Sequence, residues 1–168
     1  MKKTLATALV VLIAYLLQTT LIHGIALGGI MPNFILLVAV YVGYINGRVS
    51  GTITGLIMGF LLDCQYGTLI GVYAFMYMVI GYGSGYCSRL FYREDYTMPV
   101  ALVFLGEISY GIMCFLMLFL LRGKLDILFY FKTVVFPELV YSLLFSILVY
   151  KIIIWAYNIA SKNEKEAL

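Results

Sequence analysis

Apolar residues recur along this chain in long blocks, separated by short stretches marked by glycine, proline or charge. A helix that crosses a bilayer core of about 30 Å needs about 20 such residues. Lys2 and Lys3 precede the first block, Leu5 to Leu17, which resembles the first two parts of a secretory signal peptide. No A-x-A-like cleavage site follows, so the block reads as a retained helix over residues 5–22. His23 to Gly29 turns the chain, and Pro32, tolerated in a first turn, opens a second helix over 31–46 that Arg48 ends. From Val49 to Leu62 there are 14 uncharged residues, about 21 Å of helix, which is short for a span. This third helix, 49–63, crosses if Arg48 snorkels at one face and Asp63 lies in the opposite headgroup layer, or if the bilayer thins locally. A fourth helix is expected over 68–87, a charged loop at Arg89, Arg93, Glu94 and Asp95, and a fifth helix over 97–121. The apolar stretch Ile127 to Tyr157 has 31 residues, about 46 Å as one helix, which is too long for one upright span. Pro137 divides it into an interfacial or re-entrant segment over 125–136 and a sixth helix over 138–158.

Composition turns this pattern into a fold class. Of 168 residues 64% are hydrophobic and 11% charged, against about 25% charged in a soluble domain, so the polar coat of a water-soluble fold cannot be built. The expectation is a single all-α integral membrane domain, a compact bundle of six transmembrane helices with the lipid bilayer as its solvent. The net charge of +3 comes from bases spread thinly along the chain, which excludes a nucleic-acid footprint. With six spans, Lys2, Lys3, Arg48, Arg89, Arg93, Lys151, Lys162 and Lys165 fall on one side, and Arg122, Lys124 and Lys132 on the other. The positive-inside rule then makes both termini cytoplasmic and turns the regions around His23, Asp63 and Lys124 outward. Cys64, Cys87 and Cys114 are widely and irregularly spaced beside a single histidine, so neither a disulfide framework nor a metal site is encoded. The 15 tyrosines and 11 phenylalanines read as interfacial belts and lipid-facing packing.

Few residues stand out against that background. Gly43, Gly47, Gly51, Gly55 and Gly59 recur every fourth position, Asp63 takes the next place, and Gly67 and Gly71 continue the count. On the third helix Gly51, Gly55 and Gly59 form a stripe that lets another backbone approach closely, either a helix of this chain or one of another membrane protein. Gly81, Gly83 and Gly85 are a weaker echo in the fourth helix. Glu107 is expected near the bilayer midplane, where an ionised carboxylate is costly, so it points inward or is protonated. It serves either proton or substrate coupling or a hydrogen bond to a neighbouring helix, and no second acid is expected at its depth. Glu138, just after Pro137, suits a helix's first turn at the outward face, whereas Asp63 at a helix C-terminus is electrostatically disfavoured and calls for a specific partner. No nucleophile with a base, no phosphate-cradling loop and no D-x-x-D-like acid pair occurs, so no catalytic residue, cofactor or enzyme activity is expected.

One ordered set of residues resembles a known family. Pro32-Asn33 opens a helix continuing Ile35-Leu36-Leu37-Val38, the glycine ladder from Gly47 to Gly59 runs into Gly59-Phe60-Leu61-Leu62-Asp63, and Phe136-Pro137-Glu138-Leu139 with Tyr141 opens the last helix. In order and spacing this resembles the MreD family of small bacterial inner-membrane proteins, from Lys2 to Lys151. The resemblance implies a non-enzymatic adaptor of the cell-elongation complex that determines rod shape. Its implied partner is an MreC-like protein, with RodA and its transpeptidase partner in the same complex and the actin-like MreB reached indirectly. It also implies that the family's proline-polar helix start falls on Pro32 and Asn33, its glycine-ladder acid on Asp63 and its late proline on Pro137. The MreD fold in turn resembles the six-helix substrate-binding subunits of energy-coupling-factor transporters, which supplies an alternative function. Those subunits carry an A-x-x-x-A pair in the first helix, whereas here Ala6 is followed four on by Val10, Ala8 by Leu12 and Ala14 by Gln18.

Overall fold

The computed structural model describes residues 2–20, 31–66, 70–87, 97–119 and 126–165. His23, the loop with Arg89, Arg93, Glu94 and Asp95, and the bases Arg122 and Lys124 lie outside the described residues. Among those described, all regular structure is helical and falls into six helices. They are α1 (Lys2–Thr20), α2 (Phe34–Asn46), α3 (Arg48–Tyr66), α4 (Val72–Cys87), α5 (Thr97–Cys114, extended by a π turn Phe115–Phe119) and α6. The last of these starts at Ile127–Tyr130, passes through a π turn Phe131–Val135 and continues as Phe136–Lys165.

Local chemistry accounts for where these helices begin and end. Asn33 caps α2 by accepting the Leu36 N–H at 3.0 Å, so Pro32 stands one residue before the cap and not within the first turn. Gly47, at φ 92°, is the only residue between α2 and α3, and it reverses the chain in a backbone region that a side chain would disfavour. The third helix is 19 residues long, about 28 Å, and runs past Asp63 to Tyr66, so the acid does not terminate it. Nor does Pro137 separate two elements: the chain stays helical from Ile127 to Lys165, and the π turn before the proline shifts the backbone bonding there. Phe136 N–H donates five residues back to Phe131, so the ladder re-forms around the N–H that Pro137 lacks.

Successive helices alternate in direction. At one end of the bundle Tyr157 near the end of α6 bonds Thr7 near the start of α1 (2.7 Å) and Asn46 at the end of α2 (2.7 Å). At the other end Gln18 of α1 accepts the Phe34 N–H (2.9 Å), and Ser142 of α6 accepts the Asn33 N–H (3.0 Å). The α2 helix is apolar on all sides and buried from Phe34 to Tyr44, and it touches α1, α3, α4, α5 and α6. That central place explains why 13 residues suffice for it: its partners meet the surroundings, and it does not.

The outer surface is apolar. Leu12, Ile13 and Leu16 on α1, Ile53, Ile57 and Phe60 on α3, and Leu144, Leu148 and Trp155 on α6 are exposed side by side, a surface that hydrocarbon solvates and water does not. Two helical stretches, Thr97–Met117 and Ile127–Ile159, are long and apolar enough to cross a membrane, with Ala6–Thr20 and Phe34–Asn46 as shorter apolar helices. The protein is a membrane protein whose buried polar groups must be satisfied within the fold.

Candidate functional site

The glycine stripe is a seam inside the molecule. A Cβ on Gly55 would lie 2.6 Å from the Tyr77 carbonyl carbon, one on Gly59 2.6 Å from Ala74 Cα, and one on Gly85 2.6 Å from Arg48 Cα. Gly51 and Gly81 each turn their Cα toward the other's carbonyl oxygen. The pairs 51–81, 55–77 and 59–74 define an antiparallel α3–α4 hairpin in backbone contact, the approach that only residues without side chains permit. Of the two occupants that the spacing leaves open, the one present is α4 of the same chain. A second protein would have to displace it to reach Gly51, Gly55 or Gly59. Gly83, by contrast, faces open space.

Asp63 closes that hairpin. It is buried, and its two carboxylate oxygens accept the N–H groups of Tyr73 (3.0 Å) and Ala74 (2.9 Å), the second and third residues of α4. Gly71, at φ 101°, occupies the capping position of α4, and its carbonyl accepts the Phe75 N–H at 3.0 Å. Glycine has no side chain with which to cap, and Asp63 supplies the missing carboxylate from α3 at the positive end of α4. The specific partner that an acid late in a helix calls for is thus the next helix, not a contact in the headgroup layer.

A polar network lies at the same end of the bundle, around Asn33, which is 3% exposed. Its Oδ1 accepts from Leu36 N–H and from the Tyr77 hydroxyl (3.0 Å), its Nδ2 donates to Glu138 Oε1 (3.2 Å), and its own N–H donates to the Ser142 hydroxyl. Ser142 is in turn hydrogen-bonded to the carboxyl of Glu107, which is 2% exposed and whose Oε1 has no partner among the described residues. Tyr77 stacks on Tyr110 with ring centroids 5.2 Å apart. The expectation of no second acid near Glu107 is corrected here: α5 and α6 pack so that Glu107 feels the charge of Glu138, and the two are linked through Ser142 and Asn33. Glu138 itself is half-buried and bonded to Asn33, and with the chain helical from Ile127 onward it does not stand in a first turn.

Pro32, Asn33, Pro137 and Glu138 therefore meet in one place, and Gly51, Gly55, Gly59 and Asp63 lie along another seam that ends nearby. Ser142, Tyr77, Tyr110 and Gln18 were not singled out by the sequence, although Glu138, Ser142 and Ser146 recur every fourth residue and form a polar line along an otherwise apolar helix. Two hollows border these elements. One, of about 230 Å³, lies beside Asn33 and Glu138 and is walled by tyrosines. The other, of about 530 Å³, is an open groove between α1 and α3 lined by Thr7, Ala8, Ser50, Ile53, Thr54 and Ile57 among others. Among the described residues no cluster of three or more His, Cys, Asp or Glu side chains could hold a metal ion.

The family model for the rod shape-determining protein MreD matches residues 2–159 of the chain. The chain belongs to the MreD family. No curated protein and no solved structure matches it. In this member of the MreD family, Asn33 starts helix α2, Asp63 caps α4, Gly51, Gly55 and Gly59 line the α3–α4 seam, and Pro137 precedes Glu138, which is bonded to Asn33. They build the bundle, and they leave its outer faces to be read separately.

Proposed function

We propose that the chain is a non-enzymatic adaptor of the bacterial cell-elongation complex, a single six-span domain in the cytoplasmic membrane that binds an MreC-like protein and supports peptidoglycan synthesis and rod shape. Membership of a family named for rod-shape determination carries this reading. The apolar exterior supports it further, since such a protein must make its contacts within or beside the membrane. With the glycine stripe taken up by α4, the face that best suits a partner's transmembrane helix is the α1–α3 groove. Its small residues Thr7, Ala8, Ser50 and Thr54 allow a backbone close approach, while Ile53 and Ile57 supply apolar contact. RodA, its transpeptidase partner and, indirectly, MreB join the assembly through the MreC-like protein.

Co-purification of the tagged chain from its native membranes, with mass spectrometry of what accompanies it, tests the reading. Recovery of an MreC-like protein is expected, and Ser50→Trp, which fills the groove, is expected to reduce that recovery at least several-fold while the protein stays inserted and monodisperse. Recovery of an energising transporter subunit in place of the MreC-like protein would overturn the adaptor reading. Undiminished recovery with Ser50→Trp would move the partner to another face.

A further inference from the structure

Where α1 and α3 end and α2 and α4 begin, the cavity of about 230 Å³ presents an unusual wall for a membrane protein: the tyrosines at positions 66, 73, 77 and 110 with the carboxyl of Glu138 and the amide of Asn33. That space holds several waters and suits a small organic ion. Three observations fix what kind of ion would be held. The cavity is acidic: Glu138 lines it, and Glu107 stands behind, joined to the same network through Ser142. Of the bases whose side chains are described, Arg48 sits at the opposite end of α3 over the ring of Tyr86 (5.8 Å), and Lys132 and Lys151 are exposed. Four of its nine lining residues are tyrosines, and a tyrosine ring attracts a cation placed over its face most strongly where water is scarce. An anion would meet the Glu138 carboxyl there, and a purely apolar guest would desolvate that carboxyl further without adding a partner to the Asn33 amide.

The site is also built before any ligand arrives. Asn33 is held by four hydrogen bonds, and its amide fixes Glu138 Oε1 from one side. Tyr77 is anchored by its hydroxyl to Asn33 and by its ring to Tyr110. Little ordering would remain to oppose binding.

We propose that this cavity binds a small organic ammonium group, paired with Glu138 and enclosed by the tyrosine rings. The ammonium comes either from a free amine or from the headgroup of an aminophospholipid, which offer the same chemistry. The proposal stands on the cavity and is independent of the adaptor role.

The test uses the full chain purified in a nonionic detergent, with thermal unfolding followed by intrinsic fluorescence. Choline and ethanolamine are titrated at constant ionic strength against a neutral tert-butyl alcohol shaped like choline. A parallel arm compares nanodiscs of phosphatidylethanolamine with nanodiscs of phosphatidylglycerol. A saturable rise in unfolding temperature with either free ammonium compound, absent with the neutral analogue, is expected if the source is a free amine. Stabilisation confined to the phosphatidylethanolamine nanodiscs assigns the source to lipid. In either case Glu138→Gln is expected to weaken the effect about tenfold, the loss of one desolvated ion pair. Tyr66→Ala, at an exposed ring of the wall, reports on the site should the glutamine variant fail to fold, and is expected to weaken the effect several-fold. Equal stabilisation by the neutral analogue, no response in both arms, or an unchanged response in both variants would each overturn the proposal.

Discussion

Asp63 has a different job at residue scale from the one its place late in a helix suggests. Its carboxylate bonds two N–H groups of α4, and charge-assisted bonds of this kind contribute about 1.5–3 kcal/mol when buried. Asp63→Asn keeps one acceptor and turns an amide donor toward the other N–H, so unfolding at a lower temperature in detergent is expected, with about 1–2 kcal/mol lost. Asp63→Asn unfolding at the wild-type temperature would mean that the cap is dispensable. Glu107 differs in having one buried oxygen without a partner among the described residues. Glu107→Gln keeps an acceptor for Ser142, and its unfolding temperature is expected to equal or exceed that of the wild type. If that variant is stable but fails to restore rod shape, the carboxyl has a role beyond structure. A marked loss of stability would instead show that the acid holds α5 to α6.

At the scale of elements the α3–α4 hairpin is the tightest part of the molecule. Its glycines bring backbone against backbone, and the stabilisation comes from van der Waals contact and from Cα–H groups facing carbonyls. Gly55→Leu must push a side chain into the Tyr77 carbonyl, and no rotamer avoids it. The expected result is loss of the folded, monodisperse protein, whereas Gly83→Leu, one helix away and facing open space, should purify normally by size-exclusion chromatography. Equal behaviour of the two variants would remove the seam from its structural role. The α6 helix shows the opposite economy: a proline that ought to end a helix is accommodated by a π turn, and Val135 in that turn packs against Gly111 of α5.

Over the whole molecule, alternating helices place the start of α1, the end of α2 and the end of α6 together. Arg48 and Lys151 belong to that end, and Asp63 and Glu138 to the other. The positive-inside rule predicts that the first end is cytoplasmic, and fusions at each terminus are then expected to give activity with a cytoplasmic reporter and none with a periplasmic one. A periplasmic signal from either fusion would reverse the orientation and place the Asn33–Glu138 cavity on the cytoplasmic side. The proposed outward placement makes that cavity reachable by small molecules outside the membrane, and the α1–α3 groove is open to the bilayer on the flank.

The sequence by itself determined the membrane class, the helical content, the family and the positions at which backbones come close, because each of these depends on composition or on local spacing: too few charges to face water, glycines every fourth residue, Pro32-Asn33 at a helix start. It could not say which helix would fill the glycine stripe, because spacing along one helix is blind to the identity of its neighbour. It misjudged Asp63 and Pro137 as boundaries for a related reason. A charge ends a helix within a membrane only if no group of the fold satisfies it, and a proline breaks one only if the backbone cannot re-pair around it; α4 satisfies Asp63 and the π turn re-pairs the backbone at Pro137. Only the tertiary structure joined Glu107 to Glu138 through Ser142 and Asn33, since 31 positions of sequence separate them and helix packing alone sets their distance.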